Sequence, residues 1–187
     1  GVVGNLGNQS DLIQCWSSGA IYAVTSNSTA PIAGLASIVN SGIRLLNCQS
    51  SVSLTPAGSS TESLSFSGEL GSSLFDTIVN AFYSGTTKQY EFGYAYSTAW
   101  YGYTENVFRD TTTTQYKNLN AAEMCSTERM QSKELVNILN ATVTAWNNTH
   151  SEERPLDYWE WRENDYPRVS PNAVSQFVTV AFESNGG

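Results

Sequence analysis

Apolar residues recur along this chain at two spacings. Ile32, Leu35, Ala36, Val39, Ile43 and Leu46 fall on one face of a helix, with Pro31 suited to its first turn. The spacing predicts a helix from about Pro31 to Leu46. Leu70, Leu74, Ile78 and Phe82 predict a second, capped near Ser72 or Ser73 and ended before Gly85. Asp11 caps a short helix carrying Leu12, Cys15 and Trp16. The firmest stripe is Leu135, Leu139, Val143 and Trp146, after a capping-box-like start at Asn120-Ala-Ala-Glu123. It fits either one helix over 121–147 or two that meet near Ser132.

The other spacing is two. Tyr90, Phe92, Tyr94 and Tyr96 alternate with small or polar residues as a strand does, and Trp100 to Tyr103 follow as its hairpin partner. Val52/Leu54 and Leu64/Phe66 alternate on either side of a Pro56-Ala-Gly58 turn, and Val178, Val180 and Phe182 form a closing strand. Tyr158 to Tyr166 is expected to be a loop. No internal repeat is apparent. The elements together predict an α+β fold, a single domain over 1–187 with an antiparallel sheet, including the aromatic-rich strand, against two or three amphipathic helices.

Composition narrows the function classes. The 187 residues carry 9 Lys and Arg against 17 Asp and Glu, a net charge of −8. Such a chain repels nucleic-acid phosphates and anionic membrane surfaces. No apolar run approaches the ~20 residues that span a bilayer, so no membrane insertion is expected. Charged residues are only 14 % of the chain, against roughly 25 % in ordinary soluble proteins. Ser, Thr, Asn, Gln and Tyr supply the polarity instead, a balance that suits a secreted or extracellular protein.

Three cysteines bear on the same point. Cys15 and Cys48 close a loop that a disulfide would stabilise by roughly 3–4 kcal/mol, leaving Cys125 over. Asn8, Asn27, Asn140 and Asn147 each begin an N-glycosylation sequon, although chance alone supplies as many to a chain this rich in Asn, Ser and Thr.

Chemistry is sparse. The one histidine, His150, lies in a polar stretch after a helix and reads as solvated. No nucleophile elbow, nucleotide-binding loop or zinc-ligand spacing occurs, so neither cofactor nor metal is expected. What remains is aromatic. Tyr94, Tyr96, Trp100 and Tyr103, with Tyr158, Trp159 and Trp161, offer a surface for a protein or glycan partner. The leading expectation is a secreted or surface-exposed, non-enzymatic interaction protein, such as a host-directed secreted factor, toxin-like protein or virion surface projection. A carboxylate-based polysaccharide hydrolase using Asp157, Glu160 or Glu163 is the alternative. A self-assembling coat or filament subunit, a homo-oligomer, is the third reading.

Overall fold

Where helices are expected over 11–16, 31–46 and 70–82, the described residues are mostly strand. The computed structural model describes residues 3–23, 31–39, 42–56, 65–67, 70–73, 77–86, 103–112 and 123–170. Among them eleven strands lead: β1 (Val3–Leu6), β2 (Asp11–Ile13), β3 (Trp16–Ala23), β4 (Pro31–Ala33), β5 (Ala36–Val39), β6 (Arg44–Pro56), β7 (Ser65–Ser67), β8 (Leu70–Ser73), β9 (Thr77–Tyr83), β10 (Tyr103–Asp110) and β11 (Glu123–Cys125). Two helices follow, α1 (Thr127–Met130) and α2 (Lys133–Thr149), then the short strands β12 (Trp159–Glu160) and β13 (Arg168–Val169).

Every pairing among these eleven strands is parallel, which overturns the antiparallel sheet. The six-stranded sheet runs β11-β10-β9-β6-β2, with β3 also on β6, while β1-β5-β8 and β4-β7 form two smaller sheets that contact each other. Each turn of chain therefore lays its strands on those of the turn before, as in a parallel β-solenoid. Asp11 pairs with Arg44 and Arg44 with Thr77, and a hydrogen bond between equivalent levels spans 33 residues. The chain thus does carry a repeat. The next step, from Asn80 to Asn106, is 26 residues.

In β2, β6 and β9 the helical spacing misled because these strands carry buried apolar residues on both faces. Ile13, Leu46 and Val79 form one outward row, and Leu46 and Val79 pack in the cluster beneath α2. Alternation turns their neighbours Leu12, Leu45 and Ile78 to the opposite side, where they too are buried. With both faces apolar the period of two disappears, and short strands broken by corners leave intervals of three and four. The aromatic strand over 90–96, its partner to 102, the strand at Leu64 and the closing strand over 178–182 begin in or lie in residues outside those described.

One corner of the solenoid is built from amides. Gln14, Asn47, Asn80 and Asn106 occupy equivalent positions with φ of 56°, 52°, 52° and 51°, the left-handed region that Asn tolerates. Their side chains form a ladder. Asn80 Nδ2 donates to Asn47 Oδ1 at 3.0 Å, and Asn106 Nδ2 donates to Asn80 Oδ1 at 3.1 Å. The same amides grip what lies outside the sheet. Asn80 Nδ2 also reaches the Leu139 carbonyl of α2 at 2.9 Å, and Asn47 Oδ1 accepts from Trp159 Nε1 at 3.1 Å. Asn47 Nδ2 donates to the Asp157 carbonyl at 2.8 Å, while Gln14 Oε1 accepts from the Asp157 amide at 2.6 Å.

The helical region starts later than expected, because Glu123–Cys125, where the capping-box-like start is expected, is strand β11; from Thr127 it forms two helices that break near Ser132. Ser126 and Ser132 cap α1 and α2, each side-chain oxygen accepting an amide of the first turn. Helix α2 presents three stripes. Leu135, Val136, Leu139 and Val143 enter the core with Phe82, Phe108, Leu156 and Trp159. Asn140 and Asn147 face the extended residues 156–159, the start of a strap over 156–163. Asn147 donates to the Leu156 carbonyl at 2.9 Å and accepts its amide at 2.7 Å; Asn140 does the same for Trp159 at 3.0 and 2.7 Å. Seven helical residues rise about 10.5 Å and three extended ones about 10 Å, so the two amides meet the strap in register. The third stripe, Thr142, Ala145 and Thr149, faces a cleft.

Below the strap, Asp110 is fully buried and accepts from the Thr112 amide at 2.7 Å, Thr127 Oγ1 at 2.7 Å and the Tyr166 hydroxyl. Burial pushes the Tyr166 phenol up from its ordinary value, and the bond to Asp110 pushes it further. A raised pKa stabilises the fold fully below the unfolded value near 10 and loses that contribution as pH climbs through the folded one. Denaturant midpoints should therefore fall on going from pH 9 to pH 11, and Tyr166→Phe should flatten that fall; an unchanged slope in the variant would assign the alkaline loss elsewhere.

The ladder itself is tested at its centre. Asn80→Gly keeps the left-handed corner but deletes three hydrogen bonds, for an expected loss of about 2–4 kcal/mol. Asn80→Ala should cost up to about 1 kcal/mol more, because a Cβ strains the corner. Equilibrium urea unfolding measures both, and a pair of variants as stable as the parent would refute the ladder's role.

Candidate functional site

The outward row Ile13, Leu46, Val79 ends at Glu105, where a fourth apolar residue would continue it. A carboxylate in that position sits at the edge of α2 instead of under it. Beside it, the row Asp11, Arg44, Thr77 ends at Tyr103. Arg44 is held by both Asp11 and Glu153, with N–O distances of 2.6 and 2.8 Å, which fixes the chain after α2 against the sheet. Between the sheet and the end of α2 lies a cleft of about 430 Å³, lined by Thr77, Tyr103, Glu105, Thr142, Ala145, Trp146, Thr149 and His150.

Glu105 is positioned by the ladder. Asn106 Nδ2 donates to Thr142 Oγ1 at 2.7 Å, and the Thr142 hydroxyl donates to Glu105 Oε1 at 3.1 Å. The Tyr103 hydroxyl donates to Glu105 Oε2 at 2.6 Å. The carboxylate thus terminates a chain of bonds that starts in the buried corner. That bond to Glu105, more than burial, holds the Tyr103 phenol above its ordinary value.

The opposite wall is aromatic. His150 stacks on Trp146, with ring centroids 3.8 Å apart and planes 9° from parallel. Its Nδ1 lies 3.1 Å from the Trp146 carbonyl and 2.9 Å from Thr149 Oγ1. A carbonyl only accepts, so Nδ1 carries the proton and Nε2 is the acceptor of the neutral ring. His150 is therefore half-buried and fixed by its helix, where the sequence suggested a solvated side chain. The arrangement offers planar rings, one anchored carboxylate and three threonines, of which Thr142 and Thr149 already donate their hydroxyl protons to Glu105 and to carbonyls of α2.

Of the aromatic residues expected to form one surface, Tyr103 is the one among the described residues that lines the cleft, at 55 % exposure. Tyr94, Tyr96 and Trp100 lie outside the described residues. Tyr158 and Trp161 are exposed, but on the strap: the Tyr158 hydroxyl lies 3.3 Å from Thr144 Oγ1, and Trp161 Nε1 donates to the Gln131 carbonyl under Lys133 Nζ. Trp159 is buried in the core, 5.3 Å from the Phe82 ring.

The candidate acids also sit on the strap. Asp157 uses its backbone to hold Gln14 and Asn47, Glu160 accepts from Ser170 Oγ at 3.2 Å, and Glu163 is exposed in a turn. None of the three lines the cleft. Among the described residues no group of three or more His, Cys, Asp and Glu is placed to hold a metal ion, and no helix is long and apolar enough to cross a membrane.

Of the sequon asparagines, Asn8 is exposed in a turn and Asn27 lies outside the described residues. At Asn140 and Asn147 the nitrogen a glycan would occupy is the donor that holds the strap. Glu105, Trp146 and His150 were missed as site residues; the polar interruption of an apolar row at Glu105 was the available signal. No protein-family model, curated protein or solved structure matches the chain.

The Tyr103–Glu105 bond has a measurable signature. Glu105→Gln should return the Tyr103 titration toward the ordinary value near 10, read from the ring Cζ resonance by NMR. A titration that stays high in the variant would exclude the carboxylate as its cause.

Proposed function

We propose that this chain is a secreted or surface-exposed, non-enzymatic interaction protein that binds a neutral glycan in the cleft between the sheet and α2. The observation that carries the reading is the lining: an aromatic wall of Trp146 and His150 faces hydroxyls and a carboxylate fixed at the end of the amide ladder. Sugars present apolar C–H faces that pack on rings, and hydroxyls that donate to carboxylates and to the free lone pairs of hydroxyl oxygens. The volume falls within the ~300–1,000 Å³ of small-ligand sites. A protein partner would need a flat surface of about 800 Å² per side, and the exposed aromatics among the described residues are divided between the cleft, the strap and the first turn.

The charge of the lining narrows the ligand further. Among the described residues neither Lys nor Arg lines the cleft and Glu105 does, so phosphorylated or sulfated glycans are disfavoured. Hydrolysis by paired acids asks for a second carboxylate about 5–9.5 Å from the first, and one carboxylate of the described residues lines the cleft. The low charge and the polarity carried by Ser, Thr, Asn and Tyr support the extracellular setting.

Screening the protein against immobilised neutral and sulfated oligosaccharides, followed by calorimetry on the tightest neutral ligand, tests the reading. Trp146→Ala and Glu105→Gln should each weaken binding at least tenfold, while Tyr158→Phe on the strap should leave it unchanged. Circular dichroism confirms that the variants fold. Retention of sulfated glycans alone, of no glycan at all, or equal binding by all three variants would overturn it.

A further inference from the structure

Cys15 and Cys48 follow Gln14 and Asn47 directly, so they hold the same position in consecutive turns of the solenoid. Backbone pairing brackets them. Ile13 pairs with Leu46 before them and Trp16 with Gln49 after, while the Gln14 amide donates to the Leu46 carbonyl at 2.8 Å and the Gln49 amide to the Cys15 carbonyl at 3.0 Å. Parallel strands lie about 4.8 Å apart, inside the ~4.4–6.8 Å between α-carbons that a disulfide bridges without moving backbone. The Cys15 amide already contacts Cys48 Sγ at 3.4 Å.

We propose that Cys15 and Cys48 oxidise to a disulfide that staples the first turn of the solenoid to the second. The staple goes beyond glycan recognition and stands whether or not the cleft binds a sugar. Both side chains are thiols in this structure. The next residue in their row is Ala81, and the third cysteine, Cys125, is buried at the end of β11, where it pairs with Asp110. The topology thus matches one cysteine pair and sets the third apart.

The two thiols divide the work of oxidation. Cys15 is half-buried and Cys48 is fully buried, with Cys48 Sγ 3.3 Å from the Leu12 and Leu46 carbonyls. The hydrogen bond with the Cys48 thiol holds the Cys15 thiol below its ordinary pKa against the opposing effect of burial, and a backbone hydrogen bond at Ile13 acts in the same lowering direction. Cys15 is thus the accessible thiol with the greater thiolate fraction. As thiolate it attacks one sulfur of an incoming disulfide such as oxidised glutathione, releasing one equivalent of reduced thiol and forming a mixed disulfide. Cys48 then gives up its proton and attacks Cys15 Sγ, expelling the second thiol. Two protein thiols and one disulfide become one protein disulfide and two thiols, so electrons and protons balance.

The staple would secure the turn that carries two of the long-range holds, Asp11 on Arg44 and Gln14 on the Asp157 amide. Incubation of the whole chain with oxidised glutathione, alkylation and non-reducing peptide mapping test the proposal directly. One linked peptide joining Cys15 to Cys48 is expected, with Cys125 alkylated, and the oxidised protein should melt roughly 10 °C higher than the reduced one. In Cys15→Ala and Cys48→Ala that redox-dependent gap should vanish. Alkylation of all three cysteines after oxidation, a link involving Cys125, or equal melting temperatures in both states would overturn it.

Discussion

The structure depends on one repeated constraint, the left-handed corner held by a side-chain amide. Asn47, Asn80 and Asn106 turn the chain at the same place on successive levels, and their amides bond to one another along the stack. Each also has donor or acceptor capacity left for the outside. That surplus fastens α2 through Leu139 and Thr142, and the strap through Asp157 and Trp159. Sheet register and helix placement are consequently one problem. Moving either by one residue would strand several buried amides, at about 1–3 kcal/mol each.

The candidate site inherits its order from the same source. Glu105 lies two bonds beyond Asn106, through Thr142, and Tyr103 completes its coordination from the neighbouring row. A carboxylate on a loop would need to be ordered by its ligand, at an entropic cost. Here the solenoid has already ordered it. The aromatic wall is similarly determined by the helix end, where the His150 ring covers Trp146 one turn behind it and bonds the same carbonyl that its own amide caps.

Parts of this were legible in the sequence and parts were not, for reasons that particular residues show. Helix α2 was readable because Leu135, Leu139 and Val143 alternate with a polar exterior, so its periodicity survives. The sheet was not readable by periodicity, since Leu45 and Leu46, or Ile78 and Val79, are buried side by side. The better signal was the recurring quartet Leu12-Ile-Gln-Cys15, Leu45-Leu-Asn-Cys48 and Ile78-Val-Asn-Ala81, two apolar residues, an amide and a small residue. Aligning the chain with itself would have exposed that quartet where the spacing of apolar residues could not. Within the site, Tyr103 was foreseen for its ring, while Glu105 and His150 gain meaning only once the fourth level and the helix end are superposed.

A last consequence concerns the unusually low charge of the chain. In a solenoid every side chain sits about 4.8 Å from its own equivalent one turn away, so a row must tolerate its own repetition. Two carboxylates or two ammonium groups stacked that way repel one another, whereas an amide donates to the copy beneath and accepts from the copy above. Self-complementarity, more than hydropathy, thus selects what may fill a polar row. Asn does so at the corner, and where charge enters the outer row it alternates, Asp11 against Arg44. A chain in which 14 % of residues are charged is the compositional trace of that arithmetic.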